Sequence, residues 1–422
     1  MIIQKKKSVA FFVLWVVLIA TLLPYIYTRT EYKLLIYMVT VIVVIWAPSV
    51  ILLAPGLIRL AFLIARNSPH FLIYCAWIFI AQSIAIFHTP ELCITDYIWG
   101  SGFVIIGLIG YFIFPIFIVK ATFNKFLALL TLIGVFSSAI AIYAAFTGET
   151  HILGFHLREV NYSMLLGIYT NGSIFYEANR FAVVAFVGLL GGLYLLSKRQ
   201  HAFMTFLMSV LCLAGIAVSW SRAAYLAVLI AVPLWIITIE PSSRRKHGLA
   251  ALFALLLFCG LISAIFFDPI SQVFLSHGFA GRDLLWPAAI SLILESPIFG
   301  YGFQTDGNQL LYALTGISEA AHCTPLSIAL NAGVIALVLY LMTIWISLRR
   351  LQRSKLDRPE KATILAGITG MSILALFLDY TPGGLSYGTF LYTVFLGLGN
   401  ASPWLQSIRT NSQYTSREFD KA

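Results

Sequence analysis

Charge is what this chain has least of. Only 10% of its 422 residues are Asp, Glu, Lys or Arg, against 60% that are hydrophobic. A soluble fold of this length cannot hide so much apolar surface, so a water-soluble globular class is excluded. Cysteine is scarce, with five in all. Cys75, Cys212 and Cys259 lie inside apolar runs, where a thiol behaves as a small hydrophobe. The spacing offers neither a disulfide framework nor a metal-ligand set. No D-x-D pair and no His/Cys ligand cluster occurs, which disfavours a catalytic metal. The absence of a Walker loop removes the P-loop nucleotide hydrolases.

What is there is a succession of apolar runs of about 17 residues or more, each long enough to cross a bilayer. They fall at 9–27, 34–54, 71–87, 100–119, 125–146, 181–197, 202–219, 223–239, 248–267, 325–347, 362–378 and 384–399. The fold expected is all-α: a polytopic membrane protein of about twelve transmembrane helices, forming one integral-membrane domain over 1–422. The N-terminal "MIIQKKKSVAFFVLWVVLIATLL" has a signal-peptide-like basic head. Its apolar body is too long and lacks an A-x-A-like site, so it reads as the first span.

The basic residues orient these spans. With the N-terminus inside, 21 of the 27 Lys and Arg fall in short cytoplasmic loops or at the termini. That is the positive-inside pattern, and it puts both termini in the cytoplasm, with 400–422 as a tail. The formal net charge of +10 is therefore a topology signal, and nucleic acid is not the expected partner. Six basic residues remain on the other face: Arg29, Lys33, Arg158, Arg180, Arg222 and Arg282. Arg29 and Lys33 flank a short turn as anchors. The other four lie in or beside two long outer segments, 147–180 and 268–324, or at the head of a helix between them.

Four outer elements carry candidate chemistry. In "SWSRAAYLA" (219–227), Ser221 reads as an N-cap and Arg222 as the first residue of a span. A helix start with serine and arginine makes an anion site, although a snorkelling interfacial arginine has the same sequence. "GFAGRDLLWPAAISLILESPIFGYGF" (278–303) has an apolar stretch too short to span. It reads as an amphipathic helix lying in the outer leaflet, started at Arg282 and closed by Ser296-Pro297. In "SEAAHCTPLSIALNAGVIALVLYL" (318–341), Thr324-Pro325 reads as N-cap and first helical position. His322 then sits just before the span, where its proton affinity near neutral pH suits acid–base work or a structural role alike. Asn331 and Gly333 fall within the helix, the glycine permitting close packing. "TNGSIFYEANRFA" (170–182) enters a span with Glu177, Asn179 and Arg180, either a paired cap or part of a site.

The order of "SWSRAAYLA", "GRDLLWPAAISLILESPIFGYGF" and "HCTPLSIALNAGVIAL" resembles the O-antigen ligase and O-antigen polymerase family of bacterial envelopes. His322, Cys323, nine residues and Gly333 reproduce the family's H-polar-x9-G spacing. Cys323 stands where Asn, Ser or Gln is usual, and Ala336 where Gly, Thr or Tyr is usual. "SIFYEANRFA" resembles the family's Asn-containing entry into a span. The resemblance covers roughly residues 170–345. It implies a multi-pass protein of the bacterial cell inner membrane whose 268–324 loop is periplasmic.

It further implies a glycosyltransferase that takes a glycan from a polyprenyl (undecaprenyl) diphosphate carrier at the periplasmic face. The acceptor would be a sugar hydroxyl on lipid A–core (ligase) or on another lipid-linked glycan (polymerase). Arg222 and Arg282 would hold the departing diphosphate in bidentate fashion, which lysine does less well. His322 would take the acceptor's proton or orient the diphosphate. Glu177, Asn179, Arg180 and Ser221 would bind substrate. No cofactor and no metal is expected if arginines replace the cation. The competing classes are a lipid-linked glycan flippase, expected to carry ionisable or broken-helix elements near the bilayer midplane, and a scaffold, which needs none of these outward groups.

Overall fold

A computed structural model describes residues 55–88, 102–121, 123–153, 155–157, 160–163, 168–175, 177–199, 201–240, 281–302, 306–317, 321–382 and 386–419, with isolated positions at 16, 242, 244, 245 and 248. Within them the chain is predominantly helical. The helices are α1 (Pro55–Arg66), α2 (Pro69–His88), α3 (102–121, with a π-turn at Ile109–Ile113), α4 (Phe123–Thr147), α5 (Ala178–Ser197) and α6 (Ala202–Ser219). There follow α7 (Arg222–Ile239), α8 (Arg282–Glu295), α9 (Asp306–Thr315), α10 (Thr324–Arg353), α11 (Arg358–Ala375) and α12 (Tyr387–Phe419). Among the described residues five helices, α4, α5, α6, α7 and α10, are long and apolar enough to cross a membrane.

Nine of the expected spans fall on helices seen here. Those at 9–27, 34–54 and 248–267 lie outside the described residues, apart from Val16 and Gly248. Two features were not anticipated. The helix α1, "PGLIRLAFLIAR", precedes α2 and turns Phe62 and Leu63 outward while Ile64 is buried. Between α4 and α5 stand two small antiparallel hairpins, β1 (His151–Ile152) with β2 (Phe155–His156) and β3 (Asn161–Ser163) with β4 (Ile168–Thr170). The architecture is therefore helical with a small β annex.

The helices start and stop for local reasons. Asp357 caps α11, its carboxylate accepting from the Glu360 N–H, and proline follows within the first turn. Ser221 caps α7, its Oγ accepting from the Ala224 N–H at 3.4 Å. Helix α6 ends where Trp220 turns into the left-handed region at φ 56°.

Two packing regimes share the bundle. Helices α4, α5 and α6 form a tight trio in which Gly134 and Gly188 face each other. A Cβ added to Gly188 would lie 2.9 Å from Gly134 Cα and 3.1 Å from Cys212 Sγ. Helix α7 packs along α11 and against α5, and α10 and α11 both pack on α12, with α2 and α3 beyond them. One end of this second group is latched by Arg350. Its guanidinium donates to Ser68 Oγ (2.6 Å), to Asn400 Oδ1 (2.5 Å) and to the Asn67 carbonyl, and stacks over Trp404. That latch joins α2, α10 and α12. Arg349, Arg353, Arg358 and Lys361 share this basic end; the candidate site lies at the other.

Candidate functional site

The site is organised by a break in α10. At Gly333 the backbone takes φ 80°, ψ 171° and leaves the helix, which resumes at once. A φ of that sign is foreign to a right-handed helix, so the axis cannot run straight through residue 333. The leg Thr324–Ala332 is therefore kinked away from Val334–Arg353 at the break.

Breaking a helix frees backbone groups, and four of them find partners outside the helix. The Leu330 carbonyl accepts from the Tyr301 N–H at 2.9 Å and the Asn331 carbonyl from the Gly302 N–H at 2.8 Å. The Ala332 carbonyl accepts from the Trp77 indole N–H at 2.9 Å. The Val334 N–H donates to the Pro297 carbonyl at 2.8 Å. The turn after α8 thus completes α10. Gly333 serves this docking rather than the helix–helix packing expected of it: a Cβ there would fall on the Ile298 carbonyl group.

Helix α8 runs along the Thr324–Ala332 leg. Trp286 Nε1 donates to the Ala321 carbonyl at 3.0 Å near one end, and Pro297 and Tyr301 meet α10 at the other. It starts at Arg282, as expected, but it is apolar on more than one side. Leu285, Ala289 and Leu292 are buried, while Leu284, Ile290 and Leu294 are exposed. A single apolar face against a leaflet is not what it presents, because α10 occupies one side. Helix α9 folds back on α8, with Ile317 beyond its end meeting Gly281.

Three chain segments meet at the head of this unit. His322 has a left-handed backbone, φ 47°, a conformation uncommon outside glycine. The helix begins one residue earlier than expected, with Cys323 in the cap position and Thr324 inside. The Thr324 hydroxyl is engaged elsewhere: it donates to the Leu378 carbonyl (2.9 Å) and accepts from the Tyr380 N–H (2.7 Å). Arg282 Nη2 donates to the Phe377 carbonyl at 3.0 Å.

Between these anchor points stands Asp379, which composition and charge counting had overlooked. The residue keeps an exposed edge while neighbouring protein crowds its carboxyl group. Burial pushes its proton affinity above the usual carboxylate range. Hydrogen bonds from Thr381 and Ser327 and the facing His322 oppose that push without cancelling it. Thr381 Oγ1 donates to Asp379 Oδ1 at 2.8 Å. Burial likewise raises the Cys323 thiol, and Arg282 lies near enough to oppose the rise. A neutral thiol is a poor nucleophile, so Cys323 is a lining group. His322, Arg282 and Asp379 thus belong to one cluster.

The other sequence candidates form a second cluster. Ser221 is buried, and its hydroxyl donates to Asn179 Oδ1 at 2.7 Å while capping α7. Glu177 pairs with Arg180 at 3.1 Å across the first turn of α5, both side chains about one-third exposed (32% and 30%). Arg222 opens α7 and is half-buried. Helix α11 links the clusters. Trp235 Nε1 of α7 donates to Thr363 Oγ1 of α11 at 3.0 Å. From that bond, thirteen residues of helix rise about 20 Å to Arg222 on one side and to Leu376 on the other. Arg222 is therefore level with the start of the Phe377–Asp379 strap, and both clusters flank the same end of α11.

This arrangement offers two arginines at helix starts, suited to a spread anion, and a histidine facing a carboxylate, suited to moving a proton. Residues 207–341 match the family model described as O-antigen ligase. The matched segment holds Arg222, Arg282, His322 and Gly333, so the resemblance read from the sequence is shown over that stretch. It supports glycosyl transfer of the O-antigen ligase and polymerase kind in a membrane protein. A comparison with curated proteins finds no match.

Proposed function

We propose that this chain transfers a glycan from a polyprenyl diphosphate carrier to a sugar hydroxyl, most directly as an O-antigen ligase acting on lipid A–core. The convergence of Arg282, His322 and Asp379 at one end of a broken helix carries the reading. In the reaction, the acceptor oxygen attacks the anomeric carbon joined to the diphosphate. The C–O bond to phosphate breaks, and its electron pair leaves with the diphosphate. His322 takes the acceptor's proton, with Asp379 facing the imidazole to hold it in place and stabilise its positive form.

Arg222 and Arg282 bind the diphosphate, whose growing charge is spread over oxygens that a planar guanidinium can grip in pairs. Asn179, Ser221, Glu177 and Arg180 line the donor side. The support for this division is spatial: the first cluster contains proton-handling groups, whereas the second joins a capped helix start to Arg222. Fixed guanidinium groups do the work of a cation, so the chemistry proposed uses no metal. A flippase reading gains something from the break in α10. The break leaves Val334–Arg353 as one continuous helix, long enough by itself to cross the bilayer, a better fit to a site near one face than to a mid-membrane gate.

We place the site on the periplasmic face of the bacterial inner membrane, with both termini cytoplasmic, on the strength of the Lys/Arg partition. Single cysteines at 160 and 310 should react with an impermeant reagent in intact cells; protection of both, with an exposed control labelled, would overturn the orientation. The lipopolysaccharide profile of a deletion strain separates the acceptors. Core alone, with lipid-linked polymer accumulating, is expected for a ligase. Core bearing a single repeat would instead identify the polymerase of the same family.

A further inference from the structure

Thr324 is wholly buried and belongs to neither cluster of candidate side chains. Yet its hydroxyl grips the chain on both sides of Asp379. It donates to the carbonyl of Leu378 and accepts from the N–H of Tyr380, the residues immediately before and after the aspartate. Its own N–H also donates to the Leu378 carbonyl, at 3.2 Å. Two residues earlier in sequence is His322. One hydroxyl therefore fixes the backbone of the carboxylate relative to the peptide that carries the imidazole.

The histidine side of this joint is clamped as well. Ala321 accepts from Trp286, and His322 between the two clamps is held in its left-handed conformation. Such a conformation persists only where its surroundings impose it. The carboxylate side is fixed further by Thr381 and by the Arg282 bond to Phe377. Thr324 is the link between the halves. Other groups facing Asp379 are Ser327 and Cys323 from the head of α10 and Tyr74 from α2.

We propose that Thr324 is a positioning residue, holding Asp379 against His322 through its two hydroxyl bonds to the strap. This rests on the reading of His322 as the proton acceptor in glycan transfer. A shift of a fraction of an ångström between the two groups would misdirect the imidazole, while the arginines that bind the donor stay in place. The rate should suffer more than donor binding. Valine at 324 keeps the shape, removes both bonds and leaves the Tyr380 N–H buried without its acceptor.

The test compares purified wild type, Thr324→Val, Thr324→Ser and His322→Ala, with polyprenyl diphosphate-linked glycan as donor and lipid A–core as acceptor. Thr324→Val should lower kcat on the order of tenfold to a hundredfold, with KM for the donor within about twofold. Thr324→Ser, which keeps the hydroxyl, should restore most of the rate. In an Asp379→Asn background, Thr324→Val should add little, because the group it positions is already lost. If Thr324→Val does not accumulate, Thr324→Ala takes its place in the same comparison. Normal kcat in Thr324→Val, equal loss in Thr324→Ser, or full additivity with Asp379→Asn would each overturn the positioning role. Full turnover in His322→Ala would instead overturn the reading beneath it.

Discussion

Glycine is put to opposite uses in two parts of this molecule. In the α4–α5–α6 trio, Gly134 and Gly188 lie in unbroken helices and let two backbones come together around Cys212. In α10, Gly333 ends one helix and begins another, and the turn from Ile298 occupies the place of its side chain. The neighbour decides between the two. Apolar helix surface opposite a glycine favours continuity, because no hydrogen bond is on offer. Backbone donors and acceptors opposite a glycine can replace the helix's own bonds and make a break tolerable inside apolar surroundings. The trio is a scaffold, and the broken helix holds the reactive groups.

The largest effect should come from forcing the second region to behave like the first. Gly333→Ala puts a methyl group on the Ile298 carbonyl and demands a positive φ of alanine. Transfer should be lost even from protein that remains folded. Gly188→Ala should instead cost about 1–3 kcal/mol of stability through overpacking, with turnover per folded molecule close to wild type. Thermal unfolding in detergent beside a transfer assay separates the two. A folded, active Gly333→Ala would break the comparison.

Next in size are the arginines. Arg222→Lys and Arg282→Lys should each lower transfer on the order of 10²–10³-fold, as removal of a preorganised transition-state donor does. Charge is kept in both, but the planar fork is lost. Arg29→Lys should be near wild type, since an anchor needs only charge. Comparison at equal membrane abundance is essential. Near-normal Arg222→Lys with impaired Arg29→Lys would reverse the assignment.

Asp379 gives a smaller effect with a definite sign. Its proton affinity is raised in the fold, so the folded protein holds that proton more tightly than the unfolded chain. Wild-type stability should therefore fall as pH rises through the raised folded-state value, whereas Asp379→Asn should not show that fall. The asparagine variant should be at least as heat-stable as wild type at pH 8 while transferring more slowly. Lower stability together with lower activity across the whole range would make Asp379 structural. The smallest effect should be that of excess EDTA, under which turnover is expected to be unchanged; loss restored by Mg²⁺ or Mn²⁺ would contradict a metal-free mechanism.

Much of this was legible before any coordinates. Hydropathy runs located the helices because period and length are local properties. Ser221 was recognisable as a cap because capping needs only the next few residues. Glu177 and Arg180 pair as their spacing of three suggests. What escaped was non-local. Asp379 ends an apolar run beside Thr-Pro-Gly-Gly, and counting Lys and Arg gave an acid there no weight. Thr324 looked like a cap because threonine before proline usually is one; its hydroxyl was taken by a strap 54 residues away. Gly333 looked like a packing glycine because its partner, the turn at 297–302, lies some thirty residues earlier in the chain. An acid at the end of a span, with glycine or proline just after it, is the signal that would have found the strap.

The most direct test of the whole account is transfer by the purified protein itself. Wild type in detergent or liposomes, given polyprenyl diphosphate-linked glycan and lipid A–core, should yield the joined product and free polyprenyl diphosphate. His322→Ala, folded to the same extent, should be slower on the order of 10²–10⁴-fold, the usual worth of a positioned acid–base group. Product formed equally fast by His322→Ala, or no transfer by wild type to either lipid A–core or a second lipid-linked glycan, would contradict it.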